Sequence, residues 1–242
     1  MTKSSQVLVI LVAVVGAIAQ TPQIQNGRVE SRAVTSLSRD VAALTAQATT
    51  TPQWVAWQVP MIDGERGLCC TYYNDGMVNA VRGCTMEPSD PTVSNATRKA
   101  PDFPAPSGPV QLEAGTSLTV FVRLVDKRIE RMRLLSNDCP VDAGGREVRW
   151  LTGVNGADSV AFLKQLALNE RMDVDVRSSI SSAAVRGIAL HRDASAVATL
   201  IDMASVTSPS PFHTAIRREA MQGLGQSRDP RALQFLSGII TK

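Results

Sequence analysis

The chain has 242 residues and a formal net charge of +3, with 44% hydrophobic and 19% charged residues. That balance is typical of a globular protein and excludes a disordered or collagen-like chain. With 4% aromatic residues and 2 His, the sequence has few groups for base stacking or for a His-rich metal site. We therefore expect no cofactor, no bound metal and no nucleic-acid partner.

The first 19 residues have the pattern of a secretory signal peptide. Lys3 precedes an apolar run at 7–15, and Ala17-Ile18-Ala19 forms a small-residue cleavage site before Gln20. A membrane anchor is the alternative, but the apolar stretch 7–19 is shorter than the ~20 residues that a spanning helix needs. We expect cleavage after residue 19, a secreted or periplasmic (extracytoplasmic) protein, and no membrane span after cleavage. Lys3 is the only charged residue removed, so the mature charge would be +2.

The next segments predict a loose terminus, a helix and a strand. Residues 20–28 are polar and show no periodicity, whereas apolar residues recur every three or four positions from residue 29 to about Gln47. The latter spacing predicts one amphipathic helix. Val55, Trp57 and Val59 alternate with other residues, which predicts a strand buried on one face.

The stretch 88–109 contains six prolines and predicts a long surface loop. Asn95-Ala96-Thr97 within it fits an N-glycosylation acceptor, which would be used only in a eukaryotic secretory pathway.

Two alternating runs follow, one containing Leu118 and Val120 and the other containing Ile129 and Leu134, with a turn at 126–128 between them. They predict a β-hairpin. The hairpin also carries a basic cluster interrupted by acids, for which we expect a solvated strand face; its basic members are Arg123, Lys127, Arg128, Arg131 and Arg133.

All four cysteines, Cys69, Cys70, Cys84 and Cys139, lie in the predicted sheet region. In an exported chain an even count predicts two disulfides. A bond between the adjacent Cys69 and Cys70 would be strained, which leaves two pairings: Cys69–Cys84 with Cys70–Cys139, or Cys69–Cys139 with Cys70–Cys84. A redox centre at Cys69 and Cys70 is the alternative, although the C-x-x-C pattern of thioredoxin-like enzymes is absent from the sequence.

The last third of the chain repeats with a period of 36 residues. Residues 192–197 align with residues 228–233, and the register holds on both sides, while residues 160–167 align with residues 197–204 at an offset of 37. This spacing predicts two helix–turn–helix units preceded by a half unit. Matching apolar, small and capping positions define the repeat architecture: Ile180, Ala184, Gly187, Asp193, Leu200, Ile216, Arg217, Ala220, Gly223, Leu224, Asp229, Pro230 and Leu236.

This pattern resembles HEAT repeats, in particular the short PBS-lyase HEAT-like repeats. The run 216–225 followed by Asp229-Pro230 fits that consensus closely, whereas residues 176–205 fit less well. The resemblance implies an α-solenoid segment whose motif residues are architectural, so it assigns no catalytic residue. The lyase activity belongs to longer pigment-handling members.

The predicted fold class is α+β: a small, disulfide-bonded, antiparallel β-rich domain followed by an α-helical HEAT-like solenoid. The predicted organisation is a signal peptide at 1–19, a helix and β-rich domain at 20–150, and helical repeats at 151–242. We expect the array to dock on the β-rich domain through Trp150 and the helix at 158–168.

Candidate catalytic groups are few. His191 and His213 lie near helix ends, where an exposed or capping role is the ordinary explanation, and Asp173 and Asp175 are expected to cap the next helix. No nucleophile-elbow, zinc-protease or nucleotide-binding motif is present in the sequence. We therefore expect a non-catalytic interaction or scaffold protein that binds another protein, with the redox or thiol-dependent envelope factor as the alternative.

Overall fold

A computed structural model describes residues 23–63, 68–74, 79–87 and 115–241. The predicted signal peptide, the Pro-rich loop at 88–109 and the Asn95 acceptor lie outside these residues.

The described chain begins with a mixed β-region and ends in helices. The strands are β1 Ile24–Gln25, β2 Arg28–Ala33, β3 Gln53–Pro60, β4 Thr71–Asn74, β5 Asn79–Thr85, β6 Ser117–Val125, β7 Arg128–Ser136, β8 Val141–Asp142 and β9 Glu147–Thr152. The helices are α1 Leu37–Gln47, α2 Gly156–Ala167, α3 Val174–Leu190, α4 Ala194–Ala204, α5 Pro211–Gln226 and α6 Pro230–Ile240. This arrangement confirms the α+β class.

The main sheet has five strands in the order β2-β9-β3-β6-β7. Strands β3, β6 and β7 are antiparallel, as predicted, but β9 runs parallel to both β2 and β3. The sheet is therefore mixed, because β9 lies between β2 and β3 and runs parallel to both. A smaller layer of short strands, in the order β1-β8-β5-β4, lies beside it.

The N-terminal part of the prediction is wrong in two places. Residues 24–25 pair with β8, and residues 28–33 form a strand along β9, where we expected a loose terminus and the start of a helix. The helix begins only at Leu37. Just before it, the backbone N–H groups of Thr35 and Ser36 donate to the Asp40 carboxylate. Pairing with a distant strand overrides the local helical spacing.

The predicted hairpin is confirmed. β6 and β7 are joined by Asp126 and Lys127, which have φ angles of 47° and 57°. Positive φ at both central residues gives the type I′ geometry that matches the twist of two antiparallel strands.

Strand β3 is buried on both faces, not on one. Val55, Trp57 and Val59 face a core shared with the helices, whereas Trp54 and Ala56 face a second core under the short strands. The second face is covered because the disulfide-bonded layer packs against it. Alternation in the sequence could not reveal this cover, since Trp54 and Ala56 are apolar too.

The basic cluster on the hairpin is not a uniformly solvated face. The Arg123 side chain is buried and forms ion pairs with Glu87 at 2.8 Å and with Glu130. Trp54 Nε1 also donates to Glu87, over 2.9 Å. Burial by itself would raise the pKa of the Glu87 carboxyl. The hydrogen bonds from Arg123 and Trp54 and the charges of Arg123 and Arg146 outweigh burial, so the pKa lies below its usual range.

The helices extend the first core away from the sheet. α1, α2 and α3 contact the sheet strands, α4 packs on α2 and α3, α5 on α3 and α4, and α6 on α4 and α5. One continuous hydrophobic cluster runs from the sheet through these helices. Across the described residues, no helix is both long and apolar enough to cross a membrane.

Candidate interaction surface

The disulfides follow the second of the two predicted pairings. Cys69 is bonded to Cys139 and Cys70 to Cys84, with Cα–Cα distances of 5.5 and 4.7 Å. Cys84 and Cys139 are fully buried in the second core, whereas Cys70 is exposed and Cys69 is half-buried. The two bonds therefore tie the segment 69–70 to the layer that covers the main sheet.

The contact between sheet and helices is built on Trp57. Its ring packs edge-on against Phe162 of α2, with ring centroids 5.5 Å apart, and its Nε1 donates to Ser159 Oγ over 2.8 Å. Trp150, which we expected at this contact, lies in the second core on the other side of the sheet. The spacing of residues predicted Trp57 on a buried strand face, but alternation within β3 does not show which side of the sheet the helices cover.

His191 is the C-cap residue of α3, one of the two roles expected for it, but it is buried and completes a hydrogen-bonded network. Its Nε2 is 2.8 Å from Ser159 Oγ and its Nδ1 is 2.6 Å from the Gly187 carbonyl oxygen. A carbonyl only accepts, so Nδ1 carries the proton; Ser159 accepts from Trp57 and donates to Nε2. Burial lowers the pKa of His191 and so favours the neutral imidazole that accepts from Ser159, although the Gly187 hydrogen bond and the Asp193 charge oppose that effect.

Ser159 was also missed by the sequence analysis, although the repeat alignment held a signal for it. At the offset of 37 residues, Ser159 of α2 corresponds to Ala196 of α4, so a polar residue replaces a buried apolar one. A buried hydroxyl needs a partner, and here Trp57 and His191 provide two.

The turn around His191 also pairs with the end of β3. Met61 forms an antiparallel bridge with His191, with hydrogen bonds from Ile62 N to Leu190 O at 2.9 Å and from Arg192 N to Pro60 O at 3.1 Å. The first repeat is thus hydrogen-bonded to the sheet region as well as packed on it.

The repeat positions lie where a stacked array needs them. Asp193 and Asp229 cap α4 and α6 by accepting from the backbone N–H two residues on, and Pro230 is at the first turn of α6. Asp173 likewise caps α3. Arg217 donates to the Val206 carbonyl in the turn before α5. The apolar and small members are buried, except for the half-buried Leu236: Ile180, Ala184, Gly187, Leu200, Ile216, Ala220, Gly223 and Leu224.

Two glycines mark close helix contacts. A Cβ at Gly187 would lie 3.1 Å from Leu163 of α2, and a Cβ at Gly223 would lie 2.9 Å from the Ala189 Cβ of α3. Glycine at these two positions therefore lets α3 approach α2 and lets α5 approach α3 closely.

His213 is half-buried at the start of α5. Its Nδ1 is 2.7 Å from Oγ of Ser210, the residue that caps α5, and its Nε2 is 3.5 Å from Glu170. In the described ranges no three His, Cys, Asp or Glu residues are arranged to hold a metal ion.

A cleft of about 500 Å³ lies between the β6–β7 turn, the end of α1 and the α2–α3 loop. Lys127, Arg128 and Arg171 line it together with Asp173, which is 3.4 Å from Arg128, and the remaining lining includes Ile129 and Met172. The cleft is thus basic and partly apolar.

The outer end of the array is apolar. Leu233 and Ile239 of α6 are 68% and 46% exposed, whereas Leu200 and Met203 of α4 are 1% exposed. This surface, made of Met221, Gly225, Leu233, Leu236 and Ile239, is called the end face below.

Paired helices with repeated caps and close contacts through small residues define an α-solenoid segment. A profile of the HEAT repeats family matches residues 167–242, which covers α3 to α6, so the C-terminal third carries HEAT repeats. No curated protein and no solved structure matches the chain.

Proposed function

We propose that this protein is an exported, non-catalytic scaffold that binds another protein through its HEAT repeats. The match of residues 167–242 to HEAT repeats carries the proposal, because stacked helix pairs of this kind present extended surfaces for protein partners. The β-rich part would hold the short array in place through the Trp57 contact and the Met61–His191 bridge.

The disulfides support an extracytoplasmic location. All four cysteines are bonded, and such bonds persist in oxidising compartments. The signal-peptide pattern in residues 1–19 agrees with that location.

The charge distribution supports a protein partner over nucleic acid. Arg123, at the centre of the basic hairpin cluster, is paired with Glu87 and Glu130, and Arg128 is 3.4 Å from Asp173. These pairs reduce the positive charge available for phosphate contacts.

The experiment is affinity retrieval from the extracytoplasmic fraction, with residues 20–242 as bait and quantitative mass spectrometry as readout. The control bait is the same chain after heat unfolding, which has the same composition and no folded array. We expect one protein to be enriched on the folded bait alone. Enrichment that is equal on both baits, or retention of no protein above background, would contradict the proposal.

A further inference from the structure

The two repeat units carry the same surface, and in the first unit the chain itself covers it. The surface is formed by the end of α3 and the middle of α4, and α5 packs across it. The closest point is Gly223 of α5, where a Cβ would lie 2.9 Å from the Ala189 Cβ and 3.4 Å from Leu200 Cδ1. Helix α5 thus shows how a helix packs on this surface of a repeat unit.

The same surface recurs 36 residues later without that cover. Ala189 and Leu200 correspond to Gly225 and Leu236, and a Cβ at Gly225 would have no atom within 4 Å. Met203, which is 1% exposed, corresponds to Ile239, which is 46% exposed. The end face therefore continues an interface already formed within the protein.

The occupied interface specifies the shape of an occupant. An occupant in the same position is an α-helix that crosses at Gly225, as α5 crosses Ala189 at Gly223, with aliphatic residues on either side. A helix can cover this face without leaving backbone groups unpaired, because its hydrogen bonds are internal.

The charges on the second unit differ from those on the first. Ser181 and Ser182 of α3 correspond to Arg217 and Arg218 of α5. Arg218 and Arg228 are exposed, and among the described residues neither forms an ion pair with an acidic group. A helix with acidic residues beside its apolar face would complement this edge.

We propose that the end face binds an acidic amphipathic helix of another protein, in the position that α5 occupies on α3 and α4. The inference rests on the proposed function, and it names the surface and the chemistry of the partner.

The test uses synthetic helices whose design follows α5. The acidic probe has the sequence of residues 210–227 with Glu at positions 215, 217, 219 and 221, which are half-buried in α5. The basic probe has Lys at the same positions. Binding to the full chain is followed by fluorescence anisotropy of a labelled probe.

Three variants of the protein locate the binding. Leu233→Lys places a charge on the end face, and Gly225→Leu adds a bulky side chain at the crossing point, where a Cβ would have no atom within 4 Å. Val174→Lys is the matched control, because Val174 is 70% exposed and lies outside the end face, at the start of α3.

We expect saturable binding of the acidic probe, weakened at least ~10-fold by Leu233→Lys and Gly225→Leu and unchanged by Val174→Lys. The basic probe should bind at least ~10-fold more weakly. Absence of saturable binding, equal binding of both probes or an equal loss with Val174→Lys would overturn the proposal. So would a dimer, detected by sedimentation, that Leu233→Lys dissociates, because a second copy would then cover the face.

The retrieval experiment separates failure of this inference from failure of the proposed function. If the Leu233→Lys bait retains the same partner as the unchanged bait and no probe binds, the array acts through another surface. If neither bait retains a protein, the proposed function itself is contradicted.

Discussion

The two regions of this protein are held together by contacts of different range. In the β-region, β2 pairs with β9 and Glu30 forms an ion pair with Arg149, 119 residues away, while a disulfide spans 70 residues. In the helical array, each capping side chain accepts from a backbone N–H two or three residues further along the chain. Each helix contacts the one or two helices that precede it in the chain. Such local patterns can be recognised in a sequence, whereas distant pairings cannot. Four sets of variants test this difference between the two regions.

Trp57→Ala should have the largest effect, about 5 kcal/mol of unfolding free energy, since it leaves a cavity between β3 and α2 and removes the donor to Ser159. Trp57→Phe keeps an aromatic contact with Phe162 and should cost about 2 kcal/mol. Urea unfolding is followed by the fluorescence of Trp54 and Trp150 for the sheet and by far-UV circular dichroism for the helices. We expect one shared transition. Separate transitions, or a stable and cooperative fragment 151–242, would show that the array folds by itself.

Removal of the Cys69–Cys139 bond with paired Ala substitutions should cost about 4 kcal/mol, because this bond closes a loop of 70 residues. The equivalent change at Cys70 and Cys84 should cost about 3 kcal/mol, because its loop spans 14 residues. Both values come from urea unfolding of the oxidised variants. The reverse order of the two losses would contradict the loop-length argument. A thiol count on the unreduced protein is the accompanying check, and we expect no free thiol.

His191 should make stability dependent on pH. Burial lowers its pKa in the folded protein below the usual value of 6.5, so below about pH 6.5 the unfolded chain binds the proton more readily. As the pH is lowered from about 6.5, the free energy of unfolding should therefore decrease, by up to about 1.4 kcal/mol per pH unit, until the pKa of His191 in the folded protein is reached. His191→Gln should remove this part of the slope. Identical slopes for the two chains would show that His191 is not kept neutral.

Asp193→Ala should have the smallest effect, about 1 kcal/mol, through loss of the cap that accepts from Ser195 N at 2.9 Å. Asp193→Asn keeps a capping oxygen and should be close to the unchanged protein in thermal unfolding. An equal loss for both substitutions would argue against a capping role.

Sequence reasoning was most accurate where the structure is local. It placed the caps at Asp193 and Asp229, the small repeat position at Gly223 and the turn between β6 and β7. It was wrong for residues 28–33, which pair with β9, and for Arg123, whose partner Glu87 lies 36 residues away. It left the disulfide pairing open because spacing alone permits two solutions. The contact through Trp57, Ser159 and His191 joins residues that are 102 and 32 positions apart.

The sequence by itself determined the α+β composition, the 36-residue helical repeat and the even set of cysteines that form two disulfides. These features follow from local periodicity and residue chemistry. The tertiary structure decided the mixed sheet, the pairing of Cys69 with Cys139, the burial of His191 and the face of α6 that remains uncovered. Burial and pairing between distant segments depend on which surfaces meet in space, and the periodicity of a sequence does not indicate which distant surfaces come into contact.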